Sequence, residues 1–205
     1  MTNVNWSQKD FDVFLIEGLD ERMDALTTIV RPKFHTLGDY FSSYFSAKTG
    51  DEFFTHVAKH ARRTVNPPKD SWVAFAPYKR GYKSLPHFQI GLWNSHLFIV
   101  VAVIYEAPNK AEMAQRLLEE QQLVNNLHPT FVLSGDHMSP KTVALSEENA
   151  ESLLTRLRDV KKGEFLAGRI LTPEEASAMS HDEFIAFAEQ TFEQLLPIYN
   201  VMVNK

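Results

Sequence analysis

The chain has 205 residues, 44% of them hydrophobic, and a formal charge of −5. Fifteen Phe supply a core without staples, and the absence of cysteine excludes disulfides, thiolate nucleophiles, iron–sulfur clusters and zinc ribbons. One domain spanning 1–205 is expected at this length, in a reducing, cytoplasmic compartment. The opening MTNVNWSQKD has neither the cationic start nor the apolar stretch of a secretory signal. The longest apolar run, 97–105, is about half of the ~20 residues that a membrane-spanning helix needs, so no membrane partner is expected.

Ser7, with Asp10 three residues on, opens a short helix whose Phe11, Phe14 and Leu15 share a face. A second helix starts near Asp20. A third starts at Pro32, where a missing N–H costs nothing, and carries the stripe Phe34, Leu37, Phe41, Tyr44, Phe45. Residues 53–58 fit a strand or a helix start. Asn66-Pro67-Pro68 forces an extended loop. Strands follow over 71–76, 86–93 and 97–105, the last two joined tightly through Asn94-Ser95 as an antiparallel pair. Trp72, Phe75, Phe88, Trp93 and Phe98 read as sheet core rather than as base-stacking platforms.

Residues 109–127 make one helix, 131–134 a short strand and 135–137 a turn. Ser146 caps a helix running through 160, with Glu147 and Glu148 in its first turn. Residues 164–171 make another strand, and Thr172-Pro173-Glu174-Glu175 starts a helix. A terminal helix spans 180–196, with Pro197 expected to end it. Strands grouped centrally, with helices before and after, give an α+β fold: a mixed or mainly antiparallel central sheet flanked by helices.

The charge is uneven. Residues 56–87 contain seven of the 21 Lys/Arg but one of the 26 Asp/Glu, a segment of +6 in a remainder of −11. His56, Lys59, His60, Arg62, Arg63, Lys79, Arg80, Lys83 and His87 crowd there beside strand-forming runs. Gln89 shares His87's parity and so its expected face. Guanidinium groups bind carboxylate or phosphate in bidentate fashion, and Gly81 lets backbone approach a ligand closely. These ten residues therefore form the candidate site for a small phosphate- or carboxylate-bearing ligand. The alternatives are contact with nucleic-acid backbone, with an acidic protein partner, or plain solvated charge. Of Arg62 and Arg63, one is expected to reach the ligand and the other to pair with Asp51, Glu52 or Asp70, because neighbours do not share a face.

No GxGxxG, GxxxxGK[ST] or GxSxG motif is present, so no cofactor is expected. His56 and His60 have the i, i+4 spacing of a metal pair. Val57 stands where a HExxH site has its Glu, and three neighbouring cations repel a metal, so none is assigned. Asp136-His137 fits an acid–base pair, although an Asx turn explains the Asp as well. No catalytic residue is assigned, and the residues do not separate a binding protein from an enzyme.

The blocks HVAKHARR (56–63), VNPPKDSWVAFAP (65–77), KRGYKSLPHFQIGLW (79–93) and IEGLDERM (16–23) resemble the YktB-like family of uncharacterised bacterial proteins, found mainly in Gram-positive bacteria. The resemblance runs through essentially the whole chain. It implies a soluble single-domain α+β protein and transfers no activity, cofactor or site residue.

Overall fold

A computed structural model describes residues 3–205. The fold is α+β, with strands β1 (Phe54–Val57), β2 (Asp70–Ala76), β3 (His87–Trp93), β4 (Leu97–Val103), β5 (Val132–Ser134), β6 (Val143–Ala144) and β7 (Phe165–Leu171). They form an antiparallel sheet in the order β1-β2-β3-β4-β7-β5-β6. The helices are α1 (Gln8–Asp12), α2 (Leu19–Ala25), α3 (Arg31–Thr49), α4 (Lys110–Glu119), α5 (Gln122–Asn125), α6 (Glu147–Asp159), α7 (Pro173–Ala178) and α8 (His181–Val203). No described helix is long and apolar enough to cross a membrane.

Two compact units divide the chain. The first comprises residues up to Lys79 with Gln89–Phe98 and Leu171–Phe187. Its core is the α3 stripe: Phe34, Leu37, Phe41 and Phe45 are fully buried. Phe41 and Phe45 meet Phe75 of β2 at 5.9 and 5.4 Å between ring centroids. Burying each such ring contributes ~1.5–3 kcal/mol. A Cβ on Gly38 would stand 2.4 Å from Thr55 Cγ2, so the absent side chain lets α3 approach β1, where Thr55 Oγ1 donates to the Gly38 carbonyl at 2.8 Å. The hairpin turn after β3 is tight, with Trp93 N–H donating to His96 O at 2.9 Å.

The second unit comprises Arg80–Phe88, Ile99–Ile170 and Ala188–Lys205. Phe88 packs on Phe192 and Tyr199 at 5.5 and 4.8 Å. Lys110 Nζ caps the end of α6, donating to the Leu157 and Val160 carbonyls at 2.6 and 2.7 Å. Ser146 caps the other end, accepting from Asn149 N–H at 3.1 Å.

Several boundaries differ from expectation. Residues 53–58 resolve as β1, paired antiparallel with β2 from Phe54↔Ala76 to Val57↔Val73. The second and third helices do not separate: a π-helical stretch, Leu26–Val30, joins α2 to α3, and Pro32 sits in the first turn of α3 just beyond it. The 109–127 helix breaks at Glu120-Gln121. Pro197 does not end the last helix, which runs on to Val203. Buried Ile198, Tyr199 and Met202 continue its apolar face beyond the proline, and that packing outweighs the lost hydrogen bond.

Candidate functional site

The loop between β1 and β2 gathers cations in the first unit. His60 turns the chain with a positive φ of 52°, and its ring is fixed between Ser71 Oγ (3.1 Å from Nε2) and the edge of Trp72 (5.6 Å). Lys59 and Arg62 are exposed, and Arg63 is half-buried. Arg31 reaches in from α3 to donate to the Lys59 carbonyl at 2.9 Å. Arg22, only 9% exposed, joins the same loop to the turn before α2, donating twice to the Ile16 carbonyl (2.8 and 2.6 Å) and once to the Pro68 carbonyl (2.8 Å). Burial, and secondarily Arg63, lower the Arg22 pKa from the ordinary arginine value. Two guanidinium groups thus lie within electrostatic reach of each other.

The remaining predicted residues are divided between the two units. His56, on β1, donates from Nε2 to the Tyr78 carbonyl at 2.9 Å, and burial lowers its pKa although that bond opposes the shift. Lys79 sits over the Phe54 ring at 5.2 Å. Phe54 pairs with Ala76 and Val57 with Val73, so Lys79 and the Lys59–Arg63 stretch leave opposite ends of the β1–β2 pair. Gln89 is buried on β3. In the second unit Arg80 is exposed, and Lys83 Nζ lies 3.8 Å from Glu106. His87 is fully buried, donating from Nδ1 to the Leu85 carbonyl at 2.8 Å with its ring 5.0 Å from Tyr82.

The expected division between Arg62 and Arg63 is corrected. Neither pairs with an acid among the described residues; Arg63 donates only to the Asn66 carbonyl, at 3.3 Å. The bracing role belongs to Arg22, which sequence reading passed over, and carbonyls rather than a carboxylate receive it. A cleft of about 760 Å³ in the first unit runs along α3 and the start of α8, lined among others by His35, Asp39, Tyr40 and His181 and by none of the ten predicted residues.

The second unit contains a group that the sequence half revealed. Asp136 makes the Asx turn, accepting from Met138 N–H at 2.8 Å. His137 is oriented instead by Glu164, with Nδ1 2.8 Å from both carboxylate oxygens and the His137 backbone N–H donating to Oε2 at 2.7 Å. The sheet brings them together: β5 and β7 pair as Val132↔Gly168 and Ser134↔Leu166, a register whose continuation sets 136 opposite 164. Glu164 is 3% exposed. Burial pushes its pKa up, but the bonds from His137, with a weaker one from Tyr105 N–H, outweigh it and hold the carboxyl below the ordinary range. Ionised Glu164 only accepts, so Nδ1 is the donating nitrogen, and in the singly protonated ring the lone pair lies on Nε2.

The family described as "Domain of unknown function (DUF1054)" matches residues 6–199. A UPF0637 protein of Lysinibacillus sphaericus is 62% identical over 208 residues, covering 100% of this chain and 99% of the relative. UPF0637 proteins of Exiguobacterium sibiricum (48% over 195 residues, 95% and 96% covered) and Staphylococcus haemolyticus (46% over 202 residues, 97% and 100% covered) are also similar. With that breadth of match, the chain belongs to the DUF1054 family, whose UPF0637 relatives span several bacterial genera.

Proposed function

We propose that this protein binds a small phosphate- or carboxylate-bearing ligand at the β1–β2 loop. The observation that carries this reading is uncompensated positive charge. Lys59, Arg62 and Arg63 form no ion pair with any described residue, and Arg63 lies close enough to Arg22 to lower its pKa. An anion between them relieves that repulsion while gaining charge-assisted hydrogen bonds. Arg62 grips the ligand, Arg63 and Lys59 add positive charge beside it, and His60 fixes the loop. Lys79, Arg80, Lys83, His56, His87 and Gln89 are not needed for it.

Calorimetric titration with inorganic phosphate, pyrophosphate and citrate tests the proposal. One charge-assisted bond contributes ~1.5–3 kcal/mol, so Arg62→Ala is expected to weaken binding about tenfold or more. Lys79→Ala is expected to leave it unchanged. Absence of saturable binding, or equal affinities for Arg62→Ala and the parent, refutes the site. Tight binding of oligonucleotides alone, falling steeply with salt, replaces it with the nucleic-acid reading.

A further inference from the structure

We propose that His137 and Glu164 form an acid–base pair that activates water toward acyl esters. The base is assembled without rearrangement. Glu164, buried and ionised, receives three N–H groups, and one of them, Nδ1–H of His137, fixes the imidazole in the tautomer with Nε2 as acceptor. The His137 side chain is 11% exposed, and Nε2 has no partner among the described residues. A carboxylate that only fastened the 135–137 turn needs the backbone N–H bond alone. Orienting the ring as well is what proton transfer requires.

The surroundings set the substrate class. Tyr105, 46% exposed, holds its ring 6.2 Å from the imidazole, and Met138 is 59% exposed, so apolar surface for an organic group flanks the base. Arg156 donates from Nη1 to the Gly135 carbonyl at 3.0 Å, two residues from His137, and its other N–H groups have no hydrogen-bond partner among the described residues. That guanidinium suits the negative charge that an acyl oxygen develops.

Nε2 takes a proton from water while the water oxygen bonds to the acyl carbon, and Glu164 offsets the imidazolium charge. The C–O bond to the leaving group then breaks with its electron pair, and the Nε2 proton passes to that oxygen. Ester and water give acid and alcohol, with no oxidant or reductant. Asp136, His137 and Glu164 also place ligand-type atoms within 4.8 Å of one another. A cation is the weaker reading, because N–H donors already occupy the Glu164 oxygens and Asp136 Oδ1.

Hydrolysis of p-nitrophenyl acetate by the purified chain, followed from pH 5 to 9 with and without EDTA, tests the proposal. Wild type is expected to exceed the same concentration of free imidazole. His137→Ala is expected to lose at least tenfold while melting as a folded protein. His128→Ala, an exposed histidine of the same unit bonded to Thr130 and not to a carboxylate, is expected to match wild type. Glu164→Gln is expected to keep a residual rate with a displaced pH profile. If Glu164→Gln does not fold, the His137→Ala and His128→Ala pair still decides. Equal rates for His137→Ala and wild type leave Glu164 as a turn clamp and overturn the proposal. A rate abolished by EDTA and restored by Zn²⁺ overturns it in favour of a metal centre.

Discussion

Asp10 and Lys33 form an ion pair at 2.6 Å in which the carboxylate side chain is 0% and the lysine 17% exposed. Asp10 also accepts the Ser7 N–H and hydroxyl at 2.8 and 2.9 Å, while Lys33 donates to the Asn5 carbonyl at 2.6 Å and lies over the Trp6 ring at 5.3 Å. The segment before α1 is thereby fastened to α3. Removing one partner strands a buried charge, so Lys33→Ala is expected to cost ~3–5 kcal/mol. The double replacement Asp10→Leu/Lys33→Met is expected to cost less than the single one. Urea denaturation measures both; a loss below about 1 kcal/mol for Lys33→Ala shows a pair behaving as a surface one.

Two glycines are expected to rank differently on substitution. A Cβ on Gly168 of β7 would stand 2.0 Å from the Ile99 carbonyl oxygen and 2.7 Å from Val100 Cα, and backbone cannot yield as a side chain does. Gly50 ends α3 at φ 78° with nothing within 4 Å, so alanine there meets only left-handed strain, ~1–2 kcal/mol. Gly168→Ala is expected to lower the melting temperature more than Gly50→Ala. The reverse order shows that β4 and β7 separate easily.

Much of the fold is legible because it follows local periodicity. The α3 stripe and the 97–103 run announce themselves through spacing and β-branching, and Ser146 and Thr172 are caps where the sequence puts them. What fails is set by contacts distant in the chain. Pro197 reads as a stop because nothing local reveals that Ile198 and Tyr199 are buried beyond it. Asp136-His137 is visible as a pair, yet the carboxylate that orients the imidazole is 27 residues on and arrives through the β5–β7 register. The basic cluster is dense in sequence, but strand pairing sends Lys79 to the far end from Arg62. Charge density along a chain does not specify where β-strands carry it.

Stability is expected to fall on acidification in two separable steps. His96, 8% exposed, has its pKa lowered from 6.5 by burial. As pH drops below 6.5 the unfolded chain takes up a proton that the folded one refuses, so stability declines until the folded pKa is passed. Glu164 acts lower: its folded pKa is below the ordinary 4.5, so its contribution is complete above 4.5 and is lost as pH falls through the lowered value. Denaturant titrations across pH 3–8 are expected to show a shallower slope below 6.5 in His96→Gln, with the acid limb retained, and a weaker acid limb in Glu164→Gln. His56, also lowered, leaves a residual slope in the first variant. An unchanged slope in His96→Gln assigns it to other groups.

Arg22, Arg62 and Arg63 are expected to separate by what each touches. Arg22 is nearly buried and satisfies two backbone carbonyls, Ile16 O and Pro68 O, so it ties the turn before α2 to the proline loop before β2. Arg22→Ala leaves those acceptors without their donor, at ~1–3 kcal/mol. Arg62 is exposed and has no partner among the described residues, so Arg62→Ala is expected to change stability by less than ~0.5 kcal/mol. Arg63 differs from both, because its charge repels Arg22. Neutralising it as Arg63→Gln, which can still donate to the Asn66 carbonyl, is expected to leave stability unchanged or raise it slightly at low salt, with the gain fading as salt screens the pair. In a double-mutant cycle the coupling between Arg22→Ala and Arg63→Gln is then repulsive, whereas Arg22→Ala and Arg62→Ala add independently. Adding 10 mM phosphate supplies the final comparison. It is expected to raise the melting temperature of wild type and to fail with Arg62→Ala, since a ligand that binds the folded state stabilises it by mass action. Equal phosphate responses in wild type and Arg62→Ala would show that the loop arginines are solvated charge and nothing more.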